Sequence, residues 1–227
     1  MLKYLINLLF PKLCLGYNSL LLTNERTICS SCNHNLPYTN HHLLKSNDTT
    51  KKFYGIIPIE FSAAMLYFHQ KGIVQNLIHN LKYKNHQEIG TLLGNWYAKD
   101  IETVAKIKKF SEIIPVPLHK KRLEERGYNQ VTTFCEALSN ELQIPYNSSL
   151  LYRNRYSKTQ TKKDKENRKE ISNALFDVTY TDADHNKHFL LVDDVMTTGA
   201  TLEACAKALL KIPNSKVSIV TIAYTQS

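Results

Sequence analysis

The sequence predicts an α/β fold: a parallel sheet flanked by helices, with a small ribbon-like appendage at the N-terminal side. Three observations carry this. Phe189-Leu190-Leu191-Val192 is an apolar run with no polar alternation, as suits a strand buried on both faces. It leads, through Asp193-Asp194 and Thr197-Thr198-Gly199-Ala200-Thr201, into Leu202, Cys205, Ala206 and Leu209, which recur at helical spacing. A second strand-then-helix unit runs from Ile113-Ile114-Pro115-Val116-Pro117-Leu118 to Val131, Phe134, Cys135 and Leu138.

Size and charge bound the reading. The chain has 227 residues, enough for one sizeable α/β domain plus an appendage. Lys and Arg number 29 against 20 Asp and Glu, a net charge of +9 that favours anionic partners such as a sugar phosphate or nucleic acid. Five cysteines are an odd number, and Cys135 and Cys205 fall on apolar helix faces as small core residues. That excludes a secreted disulfide framework and points to a reducing cytoplasm.

The chain opens on a segment with Leu2, Leu5, Ile6 and Leu9 on one face of a short amphipathic helix. Asn7 interrupts the run and Pro11 ends it; it is too short to span a membrane and lacks a small-x-small cleavage site. Cys29-x-x-Cys32 is half of a zinc ribbon, whose other half reads Cys14-Leu-Gly-Tyr17. Two readings stay open: Cys14, Cys29 and Cys32 hold zinc with His34, His41 or His42 as fourth ligand, or the finger is a metal-free relic. His41 to Lys52 is polar and reads as a linker.

Tyr54 to Glu60 and Ser62 to Phe68 read as two strands of a hairpin. Ile73, Leu77, Ile78 and Leu81 mark one helix and Leu92, Leu93, Trp96 and Tyr97 another; Leu81-Lys82-Tyr83-Lys84 between them reads as a solvated helix end. Ile113 to Leu118 is predicted to be a second central strand, with prolines at its end. After it, His119, Lys120, Lys121, Arg122 and Arg126, with Gly127, form a basic loop able to hold a pyrophosphate. Its other reading is an exposed charged loop.

Leu151 to Glu170 carries eight Lys and Arg against three acids, an excess of 8 − 3 = 5. Arg153, Arg155, Lys158, Lys162, Lys163 and Arg168 could form a lid over a polyanion, or the run is simply solvated charge. Asn173 to Thr179 and Lys216 to Tyr224 read as further strands.

The order strand, acidic pair, hydroxyl-and-glycine loop, helix has a chemistry. Ligands of open α/β sheets bind beyond the carboxyl ends of the strands. A helix N-terminus offers unpaired N–H groups to a phosphate, a glycine permits close approach, and threonine hydroxyls donate. Carboxylates repel a bare phosphate but accept hydrogen bonds from a ribose diol or stand near magnesium. Adjacent strand residues point to opposite faces, so both aspartates reach one ligand only if the strand ends there. The implied ligand is a sugar phosphate.

LLVDDVMTTGAT resembles the phosphoribosyl pyrophosphate (PRPP) motif of type I phosphoribosyltransferases. The resemblance gives Asp193 and Asp194 the ribose and magnesium role, and Thr197, Thr198, Gly199, Ala200 and Thr201 the 5′-phosphate role. Hypoxanthine–guanine enzymes have an aspartate where this chain has Thr197, so the resemblance argues against a 6-oxopurine acceptor. Together with Leu81-Lys-Tyr-Lys84, the run from Ile114 through Arg126-Gly-Tyr-Asn-Gln130, and Tyr152 to Phe176, it is similar to the ComF family. That resemblance implies an N-terminal helix and degenerate zinc ribbon over residues 1–45 and a phosphoribosyltransferase-like domain over 53–227. It further implies PRPP and magnesium binding and a role in DNA uptake during natural competence, with single-stranded DNA as a candidate partner. Active transfer of phosphoribosyl to a base in nucleotide metabolism is the alternative.

Overall fold

A computed structural model describes residues 11–154 and 175–226 of the protein. The centre is a four-stranded, all-parallel sheet of β1 (Phe61–Tyr67), β2 (Glu112–Pro115), β5 (His188–Met196) and β6 (Lys216–Tyr224), in the order β1-β6-β5-β2. A separate antiparallel pair joins β3 (Leu151–Arg153) to β4 (Phe176–Val178). Four helices cover the sheet: α3 (Ile73–Tyr83), α4 (Glu88–Lys108), α6 (Thr132–Leu142) and α7 (Ala200–Leu209). Shorter turns of helix are α1 (Ser30–His34), α2 (Asp48–Lys51) and α5 (Lys120–Arg126).

The apolar run of β5 is buried on both faces, as its lack of alternation requires. Leu190 and Val192 join α3, α4 and α6 in one core; Phe189 and Leu191 join Leu202, Cys205 and Leu209 of α7 in the other, with Phe176 of the hairpin. Cys14, Ile28, Cys29, Cys32 and Leu36 belong to the first core, beside Met65, Leu66 and Ile73. The side-chain amides of Asn76 and Asn80 on α3 tie this segment down by donating to the carbonyls of Gly16 (2.6 Å) and Leu15 (2.9 Å).

Four expectations are corrected. Tyr54 to Glu60 is a turn rather than the first strand of a hairpin: Gly55 has φ +72°, and β1 pairs instead with β6, far along the chain. β2 is an edge strand, not a central one, pairing only with β5 inside the sheet. Its outer side is met by the Pro145 carbonyl, which accepts from Ile113 N–H (2.8 Å), and by Asn147 N–H, which donates to the Ile113 carbonyl (2.9 Å). The basic stretch after it is helix α5, not a loop. The His119 ring accepts from Lys121 N–H, and Gly127 at φ +76° ends the helix.

The fourth concerns His41 to Lys52, which is no simple linker. His41, Asn47 and Thr49 are buried. The Asn47 side chain caps α2 by accepting from Thr49 and Thr50 N–H, while its amide donates to the Ser62 carbonyl of β1 (2.8 Å). The N-terminal amphipathic helix lies outside the described residues. Among the described residues no helix is long and apolar enough to cross a membrane.

Candidate functional site

β5 delivers its acidic pair to the carboxyl end of the sheet but does not stop there. It stays paired with β6 as far as Met196 opposite Tyr224, so the turn comes after Met196 and not after Asp194. The two carboxylates therefore differ. Asp194 is 4 % exposed and Asp193 half-buried, with an oxygen accepting from Asp194 N–H at 2.8 Å. Burial and the Asp194 charge push the Asp193 carboxyl above the usual range, against the pull of Lys82.

Asp194 is held from two directions. Lys82 Nζ on α3 lies 2.9 Å from its Oδ2, and the Gln130 amide donates to the same oxygen at 2.6 Å. Gln130 Oε1 in turn accepts from Arg126 Nη1 (2.8 Å), whose guanidinium lies 4.9 Å from the centre of the Tyr83 ring. Nearby, Asn129 donates to the Val116 carbonyl (3.0 Å) and the Tyr128 hydroxyl to the Leu81 carbonyl. The two short polar runs around Lys82 and Gln130 thus close over the end of β5. Beside them is a cavity of about 590 Å³ lined by Lys82, Lys84, Arg122 and Arg126 with Tyr83 and Tyr128.

The turn itself is built for close approach. Gly199 has φ +85°, and a Cβ there would meet the Phe53 ring at 3.3 Å. Thr197, Thr198, Ala200 and Thr201 are exposed around the first turn of α7, whose N-cap Gly199 supplies no side-chain acceptor, and helix N-termini of this kind can hold an anion. The Thr198 hydroxyl accepts from Ala200 N–H at 3.4 Å.

Of the predicted basic residues, Arg122 and Arg126 reach the cavity. The His119 ring is spent on Lys121 N–H, and Lys120 and Lys121 pair with Glu124 (3.4 Å) and Glu125 (3.9 Å) on the exposed face of α5. Arg153 is half-buried over the Phe176 ring at 5.3 Å; its Nε has no partner among the described residues. Burial and the charge of Arg122 lower its pKa. Arg155, Lys158, Lys162, Lys163 and Arg168 lie outside the described residues. Sequence reasoning missed Lys82 and Gln130. The available signal was polar runs following apolar helix or strand faces, which a bland reading assigns to solvent.

The three N-terminal thiols converge, with sulfur atoms within 4.8 Å of one another. Cys14 Sγ accepts from the N–H of Gly16 (3.3 Å) and Cys29 (3.2 Å), and Cys29 Sγ from Cys32 N–H (3.4 Å) and the Ser19 hydroxyl (3.4 Å). The Ser19 hydrogen bond chiefly draws the Cys29 thiol down to about 7; burial pushes Cys32 up. The donor set suits zinc in three of its four positions. Among the described residues no histidine joins it: His41 is buried with Nδ1 toward Ala64 N–H, His34 is outside the cluster, and Tyr17 is exposed.

A family model described as the phosphoribosyl transferase domain matches residues 132–227. Competence protein F of Haemophilus influenzae is 31 % identical over 147 residues, covering 63 % of this chain and 64 % of that protein. DNA utilization protein YhgH of Escherichia coli strain K12 is 27 % identical over 190 residues, covering 82 % of this chain and 79 % of the relative. Competence protein ComFC of Bacillus subtilis is 31 % identical over 139 residues, 61 % of this chain and 54 % of that one. The aligned stretch thus spans just under two thirds of the Haemophilus protein and about half of the Bacillus one.

Proposed function

We propose that this chain is a phosphoribosyltransferase-like protein of the ComF family, that it binds PRPP with magnesium at the turn after β5, and that it acts in the cytoplasm in DNA uptake. The relatives' names support the DNA side. The ligand side rests on one observation: the buried Asp194, on the strand that leads into the Thr197–Thr201 turn, is paired at 2.9 Å with Lys82, which itself lines a cavity rich in cations.

The roles follow from the chemistry of each group. The N–H groups at the start of α7 and the threonine hydroxyls take the 5′-phosphate. Asp193 and Asp194 accept from the ribose hydroxyls; Asp194 fits a hydroxyl better than a cation, because Lys82 already touches it. Asp193 is therefore the carboxylate that would face a magnesium ion. Bound there with the ligand, magnesium would offset the charge of the pyrophosphate. Lys82, Lys84, Arg122 and Arg126 supply cations to the pyrophosphate in the adjoining cavity.

Ligand that binds only the native state raises stability by mass action. PRPP with magnesium should raise the unfolding temperature, and Asp193→Asn with Asp194→Asn should abolish that shift in a chain that still folds. An unchanged shift would remove the ribose role from both. Pyrophosphate release from PRPP with a panel of bases separates turnover from binding alone.

A further inference from the structure

Lys82 serves two places at once. Its ammonium lies 2.9 Å from Oδ2 of Asp194, and the same side chain lines the cationic cavity with Lys84, Arg122 and Arg126. It sits in the last turn of α3, where the helix dipole favours a cation. The Lys82 side chain keeps 21 % of its surface exposed, that of Asp194 only 6 %. The lysine has room to turn toward the cavity, whereas the carboxylate stays inside the protein.

The acceptor oxygen is already full. Oδ2 takes one hydrogen bond from Lys82 and another, at 2.6 Å, from the Gln130 amide, which uses both lone pairs of that oxygen. The Gln130 amide has a fixed orientation, because its oxygen accepts from Arg126 Nη1 at 2.8 Å. A guanidinium only donates and a carboxylate only accepts, so the amide cannot be turned over between them. A ribose hydroxyl therefore reaches Oδ2 only when Lys82 gives up its place.

We propose that Lys82 is a specificity-determining residue, closing Asp194 to ribose monophosphates and opening it to PRPP. The inference rests on PRPP binding at the turn after β5. A ligand with only a 5′-phosphate and a ribose diol must separate a buried carboxylate from its cation, which is costly. A ligand that also carries pyrophosphate offers the ammonium a second anion in the cavity. Lys82 then exchanges one charged partner for another, and the vacated place on Oδ2 accepts from the ribose diol. Gln130 is the positioning residue that holds the carboxylate through the exchange. Discrimination comes from the penalty on the wrong ligand rather than from an added contact to the right one. The same exchange makes the two halves of the ligand cooperative, and linkage requires that effect to be reciprocal. When pyrophosphate departs, Lys82 returns to Asp194 and displaces the ribose hydroxyl.

Calorimetric titration of the full chain in magnesium, with PRPP and ribose 5-phosphate as probes, tests this. Lys82→Met should weaken PRPP, which loses a cation, yet tighten ribose 5-phosphate about tenfold. Loss of a cation acting by charge alone would weaken both anions. Lys82→Arg should keep ribose 5-phosphate as weak as in the unmodified protein. Because Lys82→Met breaks a buried pair and lowers stability, the unmodified protein supplies a second measurement. Its probe is 1-deoxyribose 5-phosphate, which lacks the anomeric oxygen that free pyrophosphate would overlap. Saturating magnesium pyrophosphate should tighten this sugar about tenfold, against the mutual repulsion of two anions, and the sugar should tighten pyrophosphate by the same factor. Ribose 5-phosphate unchanged or weakened in Lys82→Met, or fragments that bind independently, would overturn the inference. If PRPP binds the unmodified protein while the fragments are uncoupled, this inference alone falls. If PRPP does not bind, the reading of the Asp193–Thr201 site falls with it.

Discussion

At the scale of single residues, Asp194 is the most constrained group in the site. A carboxylate this buried is tolerated because Lys82 and Gln130 both contact Oδ2. Removing one partner leaves a charge partly unpaired, whereas removing both charges restores balance. Lys82→Met should therefore cost roughly 3 kcal/mol in urea unfolding, and adding Asp194→Asn should recover more than half of it. Strictly additive costs in that double-mutant cycle would show that the pair contributes nothing beyond its separate packing. The Cys14, Cys29 and Cys32 cluster poses the opposite problem, with three ligands gathered and no fourth among the described residues. The purified protein should hold clearly less than one zinc per chain. Tyr17→Cys should raise both zinc content and melting temperature, since a closed structural site takes four ligands. Stoichiometric zinc in the unmodified protein, measured by atomic emission, would contradict this.

Between elements, the tightest junction is α4 on α6. Gly90 and Gly94 lie one turn apart, and a Cβ on Gly94 would stand 2.6 Å from Ala137 Cβ and 2.8 Å from the Phe134 carbonyl. Helix propensity alone favours alanine over glycine by about 1 kcal/mol. Overpacking a tight contact costs about 1–3 kcal/mol, so packing wins. Gly94→Ala should lower the melting temperature; a rise would mean that the helices can separate at little cost. These glycines were silent in the sequence, where they only dilute a helical pattern. The long strands and helices were legible because burial on both faces writes itself as an apolar run or a repeating stripe. The false hairpin arose because Tyr54 to Glu60 has strand-like composition, while the partner of β1 lies at the far end of the chain. The sequence does carry a sign of helix α5 in its i,i+4 Lys–Glu pairs at 120–124 and 121–125. The site divides the same way. Asp193 to Thr201 is contiguous and could be read locally, whereas Lys82 and Gln130 reach Asp194 only through the tertiary fold.

For the molecule as a whole, charge separates two uses of the basic run. Net charge is +9, and the stretch from Leu151 to Glu170 contributes five of those units. That exceeds what one pyrophosphate needs, and it favours contact with a longer polyanion. If the run contacts a DNA backbone, single strands should bind without strong sequence preference, and affinity should fall steeply as salt rises, because each neutralised phosphate releases counterion. At about 0.7 per phosphate contact for single strands, reversing Lys162, Lys163 and Lys165 to Glu should flatten the slope of log affinity against log salt by roughly two units. PRPP affinity should change little in that variant, since Asp194, Lys82 and the Thr197–Thr201 turn are untouched. If the run instead closes over pyrophosphate, the outcome inverts: PRPP binding weakens and the DNA slope stays as it was. Fluorescence anisotropy with labelled oligonucleotides across a salt series, alongside PRPP calorimetry on the same preparations, distinguishes the two. Absence of any DNA binding at low salt would remove the nucleic-acid role and leave a small-molecule enzyme.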